Sequence, residues 1–239
     1  MEGKFTEKNS YTIGFSIAMV VIVGAALAFS AITLKPLQDE NKSREKIQNI
    51  LSSVDVKVSM EKLGEAYEKY IRQDLVLDAH GKVLKAEKAF DIDVVAEMKK
   101  PPSEQRMPLY VAEKGKDRYY IMPLRGTGLW GPIWGYISLD QGFKVSGIVL
   151  DHKSETPGLG AEITQDFFVK PFKGERIFDI FGNYKGVRVI KGSSDLGNIN
   201  KEDNQVDGIS GATITSHGVG EMLVRGMKFY LPYLQTVKK

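Results

Sequence analysis

A glycine-rich stretch near the C-terminus holds the hydroxyl best placed to bind a phosphate. It runs Asp-Gly-Ile-Ser-Gly-Ala-Thr-Ile-Thr-Ser over residues 207–216 and precedes an amphipathic helix. Thr215 or Ser216 is a natural N-cap, so the N–H groups and the positive end of the helix dipole would point at Thr213. A phosphate beside that hydroxyl would be stabilised without a nearby lysine. An ordinary Ser/Thr capping loop explains the same residues, and no Gly-Lys-Ser/Thr follows as in a Walker A loop.

A second stretch, residues 154–162, combines a turn with polar side chains. Pro157-Gly158 favours a type II turn, because glycine supplies the positive φ that this turn needs. Glu155 and Thr156 lie directly before it. The alternative is a turn with no binding role.

A third stretch, residues 126–135, contains four glycines and both tryptophans, Trp130 and Trp134. Large rings beside glycines form a flat apolar surface that could face a planar cofactor. Packing of the two tryptophans in the core is the alternative.

The composition narrows the classes of chemistry. The chain has no cysteine, so it contains no disulfide and no thiolate nucleophile. Zinc and iron–sulfur centres with cysteine ligands are excluded for the same reason. Its 33 Lys and Arg against 30 Asp and Glu give too even a balance for nucleic-acid binding. The three histidines form no metal-ligand pattern, so no metal site is expected.

The N-terminal region predicts a membrane anchor. Residues 13–34 are uncharged and largely apolar, and about 20 such residues suffice to cross the hydrocarbon. A cleaved signal peptide is the alternative, but the run is longer than an h-region and its start carries both charge signs. The count of basic residues on the two flanks of the span would place the C-terminal domain on the cytoplasmic side. Such counts are unreliable beside long soluble domains.

The rest of the chain predicts one soluble domain on a stalk. We expect a tail at 1–12, a transmembrane helix at 13–34, a juxtamembrane helix or stalk at 35–58 and a soluble domain at 59–239. The fold class is α+β, a twisted and mainly antiparallel sheet packed by helices. Within the domain, helices are predicted at Met60–Tyr70, Ile163–Phe168 and around Val219–Leu231, and strands at Tyr119–Leu124, Gly135–Leu139, Val145–Leu150 and Val187–Ile190.

Together, the three stretches resemble the hallmarks of one family. Residues 207–213 match the Asp-Gly-x-Ser/Thr-Gly-Ala-Thr signature of FMN-binding domains that carry flavin covalently, and residues 155–160 and 128–132 resemble that family's other two hallmarks. The single span followed by residues 34–42 extends the resemblance to almost the whole chain. Similar domains occur in sodium-translocating NADH:quinone oxidoreductases and, as the second match, in Rnf complexes.

The resemblance implies an FMN site at about 119–235. The last threonine of the signature forms a phosphoester with FMN in this family, so Thr213 is the expected attachment residue, and a separate magnesium-dependent flavin transferase makes the bond from FAD. The other expected cofactor-site residues fall into two sets. Asp207, Ser210, Gly211 and Ala212 would serve the transferase and the phosphate, with Thr215 beside them; Thr156, Leu159 and Gly160 would line the ring or ribityl chain, with Glu155, Leu129 and Trp130 nearby.

The resemblance also implies a one-electron relay in a bacterial inner-membrane complex, with the domain on the periplasmic side. Other membrane subunits would be its partners. No nicotinamide fingerprint is visible, so no complete active site is expected in this chain. The sodium path should lie elsewhere, because the span has no Asp, Glu or His. Two alternatives remain: a tethered module that holds FMN non-covalently, and a flavin-free assembly protein.

Overall fold

The computed structural model describes residues 9–192, 195 and 197–237, so most of the predicted tail at 1–12 lies outside the described residues. The chain divides into two units, one ending at Lys46 and one beginning at Ile47. The first helix, α1, runs over Asn9–Ser52 and is long and apolar enough to cross a membrane. It continues through Pro36. Because one helix contains both the predicted span and most of the predicted stalk, the boundary between them stays a prediction.

The second unit is built on a five-stranded antiparallel sheet. Its strands follow one another in space in the order of the sequence, β1-β2-β3-β4-β5, and each pairs with the next in antiparallel register. The predicted α+β class is confirmed, and three predicted strands lie within β3, β4 and β5. The strands are β1 Ile71–Leu77, β2 Met107–Lys114, β3 Asp117–Thr127, β4 Pro132–Leu139 and β5 Val145–His152.

A small parallel pair and several short helices complete the unit. The strands β6 Arg188–Ile190 and β7 Gln205–Asp207 form the pair. Pro232 lies in the first turn of α6, where a missing N–H costs little, and α5 has already ended before it. The helices are α2 Leu63–Tyr70, α3 Val94–Glu97, α4 Asp166–Val169, α5 Thr213–Lys228 and α6 Leu231–Val237, with 3₁₀ turns at Met60–Lys62, Ala89–Asp91, Pro102–Glu104, Gly160–Thr164 and Lys170–Phe172.

Both faces of the five-stranded sheet are covered. Successive strand residues point to opposite faces. Tyr110 and Ile121 therefore pack with Ile50 and Leu51 of the last turn of α1. The alternate residues of the same strands pack against the apolar face of α5, which includes Leu223.

Two glycines allow α5 to lie close to its neighbouring strands. A Cβ at Gly218 would collide with the carbonyl oxygen of Thr127 at the end of β3. A Cβ at Gly220 would lie 2.8 Å from the Val189 nitrogen in β6. Larger residues would push the helix away, so these glycines fix the first turns of α5 between the end of β3 and the small parallel pair.

Glu175 is a fully buried carboxylate in this unit. Its Oε1 accepts a hydrogen bond from Asn198 Nδ2 at 2.8 Å and lies 3.5 Å from Lys201 Nζ, while Oε2 has no hydrogen-bond partner among the residues that the structure describes. Burial raises the pKa of Glu175 to about 7, although Asn198 and Lys201 favour its charged form. The carboxyl therefore stabilises the fold below its ordinary pKa of 4.5, and this contribution is lost as the pH rises through 7.

Replacing Glu175 by Gln keeps the shape of the side chain and removes its charge. We expect the E175Q protein to match the parent near pH 4.5 and to be about 1–3 kcal/mol more stable at pH 8, since only the ionised parent carries the cost of burying a charge. Denaturant titration of the full-length protein in detergent measures both values. Glu61→Gln, at an exposed position, should change neither. An E175Q protein less stable than the parent at pH 8 would show that the Lys201 pair outweighs the cost of burial.

Candidate functional site

The carboxylate of Glu155 joins the three glycine-rich stretches. Its Oε1 accepts a hydrogen bond from the Trp130 backbone N–H at 2.8 Å, and its Oε2 accepts one from the Thr215 hydroxyl at 2.6 Å. The residue is only 5% exposed. A buried carboxylate is costly unless its oxygens are hydrogen-bonded, so these two bonds hold stretches that are far apart in sequence against one another.

Two glycines make room for this carboxylate. A Cβ at Gly160 would collide with Glu155 Oε2 and lie 2.8 Å from Thr215 Oγ1. A Cβ at Gly128 would lie 2.5 Å from Glu155 Oε1. The two oxygens are thus enclosed from both sides by backbone that carries no side chain.

The segment that carries Glu155 forms the predicted turn. The Leu159 N–H donates to the Thr156 carbonyl oxygen at 3.1 Å, and Gly158 has φ +77°, as a type II turn requires at its third residue. The Glu155 backbone N–H donates to His152 Nδ1 at 3.2 Å. The turn is therefore fixed both internally and to the end of β5.

The start of α5 corrects the predicted N-cap. The helix begins at Thr213 after Ala212, so Thr215 and Ser216 lie inside its first turns and the N-cap prediction for them is wrong. Each of their hydroxyls is used elsewhere: Thr215 donates to the buried carboxylate, and Ser216 Oγ accepts from the Ile209 N–H at 3.0 Å. Thr213 stands at the first helical position with an exposed side chain.

A groove of about 230 Å³ lies beside Thr213, and we call it the Glu155 groove. All three glycine-rich stretches contribute to it, and its rim carries exposed apolar side chains, of which Trp130 is 65% exposed. Ten of the twelve predicted site residues line it, and Ile214 is an addition that the sequence analysis missed. The lining is Leu129, Trp130, Glu155, Thr156, Leu159, Gly160, Gly211, Ala212, Thr213, Ile214 and Thr215.

The two remaining predicted residues, Asp207 and Ser210, line a different cavity of about 840 Å³ on the β6–β7 side of Thr213. This cavity shares Gly211 and Thr213 with the groove. The sequence indicated that a phosphate at Thr213 would not need a lysine. Lys191 nevertheless lines this cavity, which we call the Lys191 cavity. Its full lining is Val189, Ile190, Lys191, Gly192, Asp207, Gly208, Ile209, Ser210, Gly211, Thr213, Ser216 and His217.

The two tryptophans have different surroundings. Trp130 lines the groove and is exposed, so the alternative of core packing is wrong for it. Trp134 lies in β4, where the Arg125 guanidinium carbon lies 4.8 Å from the centre of its ring. Only one of the two rings is therefore available to a ligand in the groove.

Comparison with known proteins identifies the family. The FMN-binding domain family matches residues 128–228, which contain two of the stretches whole and the third from Gly128 onwards. A crystal structure of NqrC, a component of the Na(+)-translocating NADH-quinone reductase, from Parabacteroides distasonis is 39% identical, with a TM-score of 0.75 over 84% of this chain and 96% of that one. The chain belongs to the NqrC family.

Further members of the NqrC family match over most of their length. The crystal structure of Shewanella oneidensis NqrC is 25% identical, with a TM-score of 0.69 over 82% of this chain and 99% of that one. The Chlamydia pneumoniae NqrC is 30% identical over 288 residues, covering 92% of this chain and 89% of the relative. The first match of the sequence analysis is therefore confirmed.

The close packing around the Glu155 carboxylate can be tested by replacing two glycines of the chain with alanine, one at a time. Gly160→Ala inserts a methyl group against both Glu155 and Thr215, so we expect a loss of about 1–3 kcal/mol in the free energy of unfolding. Denaturant titration of the full-length protein measures it. Gly64→Ala is the matched control, because its Cβ would meet nothing within 4 Å in the helix α2. This control should be neutral or up to about 1 kcal/mol more stable. Equal stability of both variants would contradict the packing described for the groove.

Proposed function

We propose that this chain holds one FMN by a phosphoester to Thr213 and relays single electrons within a membrane NADH:quinone oxidoreductase. The observation that carries the proposal is the position of Thr213. Its exposed side chain stands where the Glu155 groove meets the Lys191 cavity, inside the region that matches the FMN-binding domain.

The residues around Thr213 fit a flavin phosphate. The groove offers an apolar rim of Leu129, Trp130 and Leu159, which suits one face of a planar ring. Gly211 has φ +80°, and a Cβ there would lie 2.9 Å from Leu159 Cδ2, so only glycine lets the loop approach this rim. The N–H groups of the first turn of α5 add the positive end of a helix dipole beside the hydroxyl.

Each predicted site residue has a role in this proposal. In a step that a separate flavin transferase would carry out with FAD as donor, Thr213 Oγ would lose its proton and bond to phosphorus, while the pyrophosphate bond of FAD breaks and AMP leaves. Asp207, Ser210, Gly211 and Ala212 shape the loop that presents this hydroxyl. Thr156 and Gly160 line the groove, and Glu155 and Thr215 hold the stretches together beside it.

An electron relay follows from the exposure of the groove. Bound FMN would supply one-electron redox chemistry, and the protein tunes its potential through burial and hydrogen bonds. The rim residues Trp130 and Ile214 are both exposed, so another protein of the complex can come close to the ring edge. The domain's partners in this proposal are the other subunits of the complex, and its place is the periplasmic side of the bacterial inner membrane, anchored through α1.

Thr213 variants test the attachment. We expect Thr213→Val to abolish covalent flavin, because valine has no hydroxyl, and Thr213→Ser to retain part of it. Full-length protein produced with its flavin transferase is denatured, separated on a gel and examined for flavin fluorescence. Thr236→Val, a hydroxyl loss in α6, is the control and should leave the fluorescence unchanged.

Two results would contradict the proposal. Fluorescence that survives in the T213V protein would place the bond elsewhere. Flavin that is released from the parent on denaturation would show that FMN is held without a covalent bond.

A further inference from the structure

The Lys191 cavity differs from the Glu155 groove in charge. The groove is lined by no Lys, Arg or His among the described residues, and its one carboxylate is already bonded to Trp130 and Thr215. The cavity on the other side of Thr213 is lined by Lys191 and His217. Among the described residues that line the two spaces, basic side chains therefore occur on the cavity side of Thr213 only.

The backbone holds Lys191 beside the first turns of α5. In the parallel pair, Ile190 is in register with Asp207, and the Gly208 N–H donates to the Ile190 carbonyl oxygen at 2.7 Å. A Cβ at Gly208 would lie 3.2 Å from both that oxygen and Ser216 Cβ. Lys191 directly follows β6. Its backbone is therefore held in place by contacts of Ile190 with the signature residues 207–213, which pack against the helix α5.

The charges at the cavity leave Lys191 available to a ligand. Within the described part of the chain, no acidic side chain forms an ion pair with Lys191. Asp207 and Lys191 line the same cavity, so the lysine ammonium favours an anion there and the aspartate opposes it. His217 follows Thr213 by one helical turn and lies on the same face of α5.

We propose that Lys191 binds the phosphodiester on Thr213 from the cavity side and is its counter-charge. This inference rests on the proposed function and adds a positioning residue that the signature does not contain. A phosphodiester keeps one negative charge, which a lysine ammonium stabilises as a point charge through any of its three N–H groups. The same ammonium attracts the anionic flavin phosphate before the bond forms, so Lys191 should act on the rate of attachment and on the surroundings of the attached phosphorus.

The first test is the rate of attachment. The transferase and FAD are mixed with full-length protein that carries no flavin, and covalent flavin is followed with time. Four proteins are compared: the parent, K191Q, K191R and K116Q. We expect K191Q to be about three- to fivefold slower at low salt, and the difference to vanish at 1 M salt, where charges are screened beyond about 3 Å. K191R keeps the charge and should stay near the parent. K116Q removes an exposed lysine from the turn between β2 and β3 and should equal the parent.

The second test is the ³¹P resonance of the attached phosphodiester in the protein that has acquired flavin. K191Q should move this resonance and K191R should largely restore it, a response that a loss of folding stability alone would not give. If K191Q matches K116Q in both rate and resonance while the parent carries flavin on Thr213, the role of Lys191 is refuted and the proposed function stands. If the parent carries no flavin on Thr213, both fail, and the Thr213 variants reveal that separately.

Discussion

The site depends on one buried carboxylate. Glu155 accepts one hydrogen bond from the Trp130 backbone and another from the Thr215 side chain, and so it holds three loops from distant parts of the chain. Its burial is tolerated only because both oxygens are bonded. Glycines at 128 and 160 leave the space it occupies. The groove beside Thr213 keeps its shape because separating these loops would break the two hydrogen bonds that Glu155 accepts.

The sheet and α5 supply the frame for that interaction. Residues 128–131, which include Trp130, connect β3 to β4, and β5 leads into the turn that carries Glu155. The helix α5 brings Thr213 and Thr215 to the same edge. Gly218 lets the helix touch the end of β3, and Gly220 lets it touch β6. Thr213 therefore stands between two spaces of different character. One is a groove with an apolar rim and no Lys, Arg or His among the described residues that line it, and the other is a larger cavity lined by a lysine.

Local patterns in the sequence predicted β3, β4, β5 and β6 and the glycine-rich stretches, because alternation and turn residues act over a few positions. The strands β1, β2 and β7 were not predicted. Residue types singled out Thr213, Glu155, Thr156 and Trp130 as candidates, and the resemblance to a family assigned them and the other groove residues to one FMN site. The N-cap prediction failed because the Thr215 and Ser216 hydroxyls bond to Glu155 and Ile209, and the first of these contacts is tertiary. Lys191 was missed for a similar reason: the parallel pairing of β6 with β7 brings it to the cavity that Thr213 also lines.

The central claim is that the Thr213 oxygen carries FMN at the mouth of the Glu155 groove. Peptide mass spectrometry of the full-length protein, produced with its flavin transferase, tests it most directly. We expect the peptide containing Thr213 to gain the mass of FMN less one water, and fragmentation to place the addition on Thr213. An unmodified Thr213 peptide, or an addition on another residue such as Thr215 or Ser210, would contradict it.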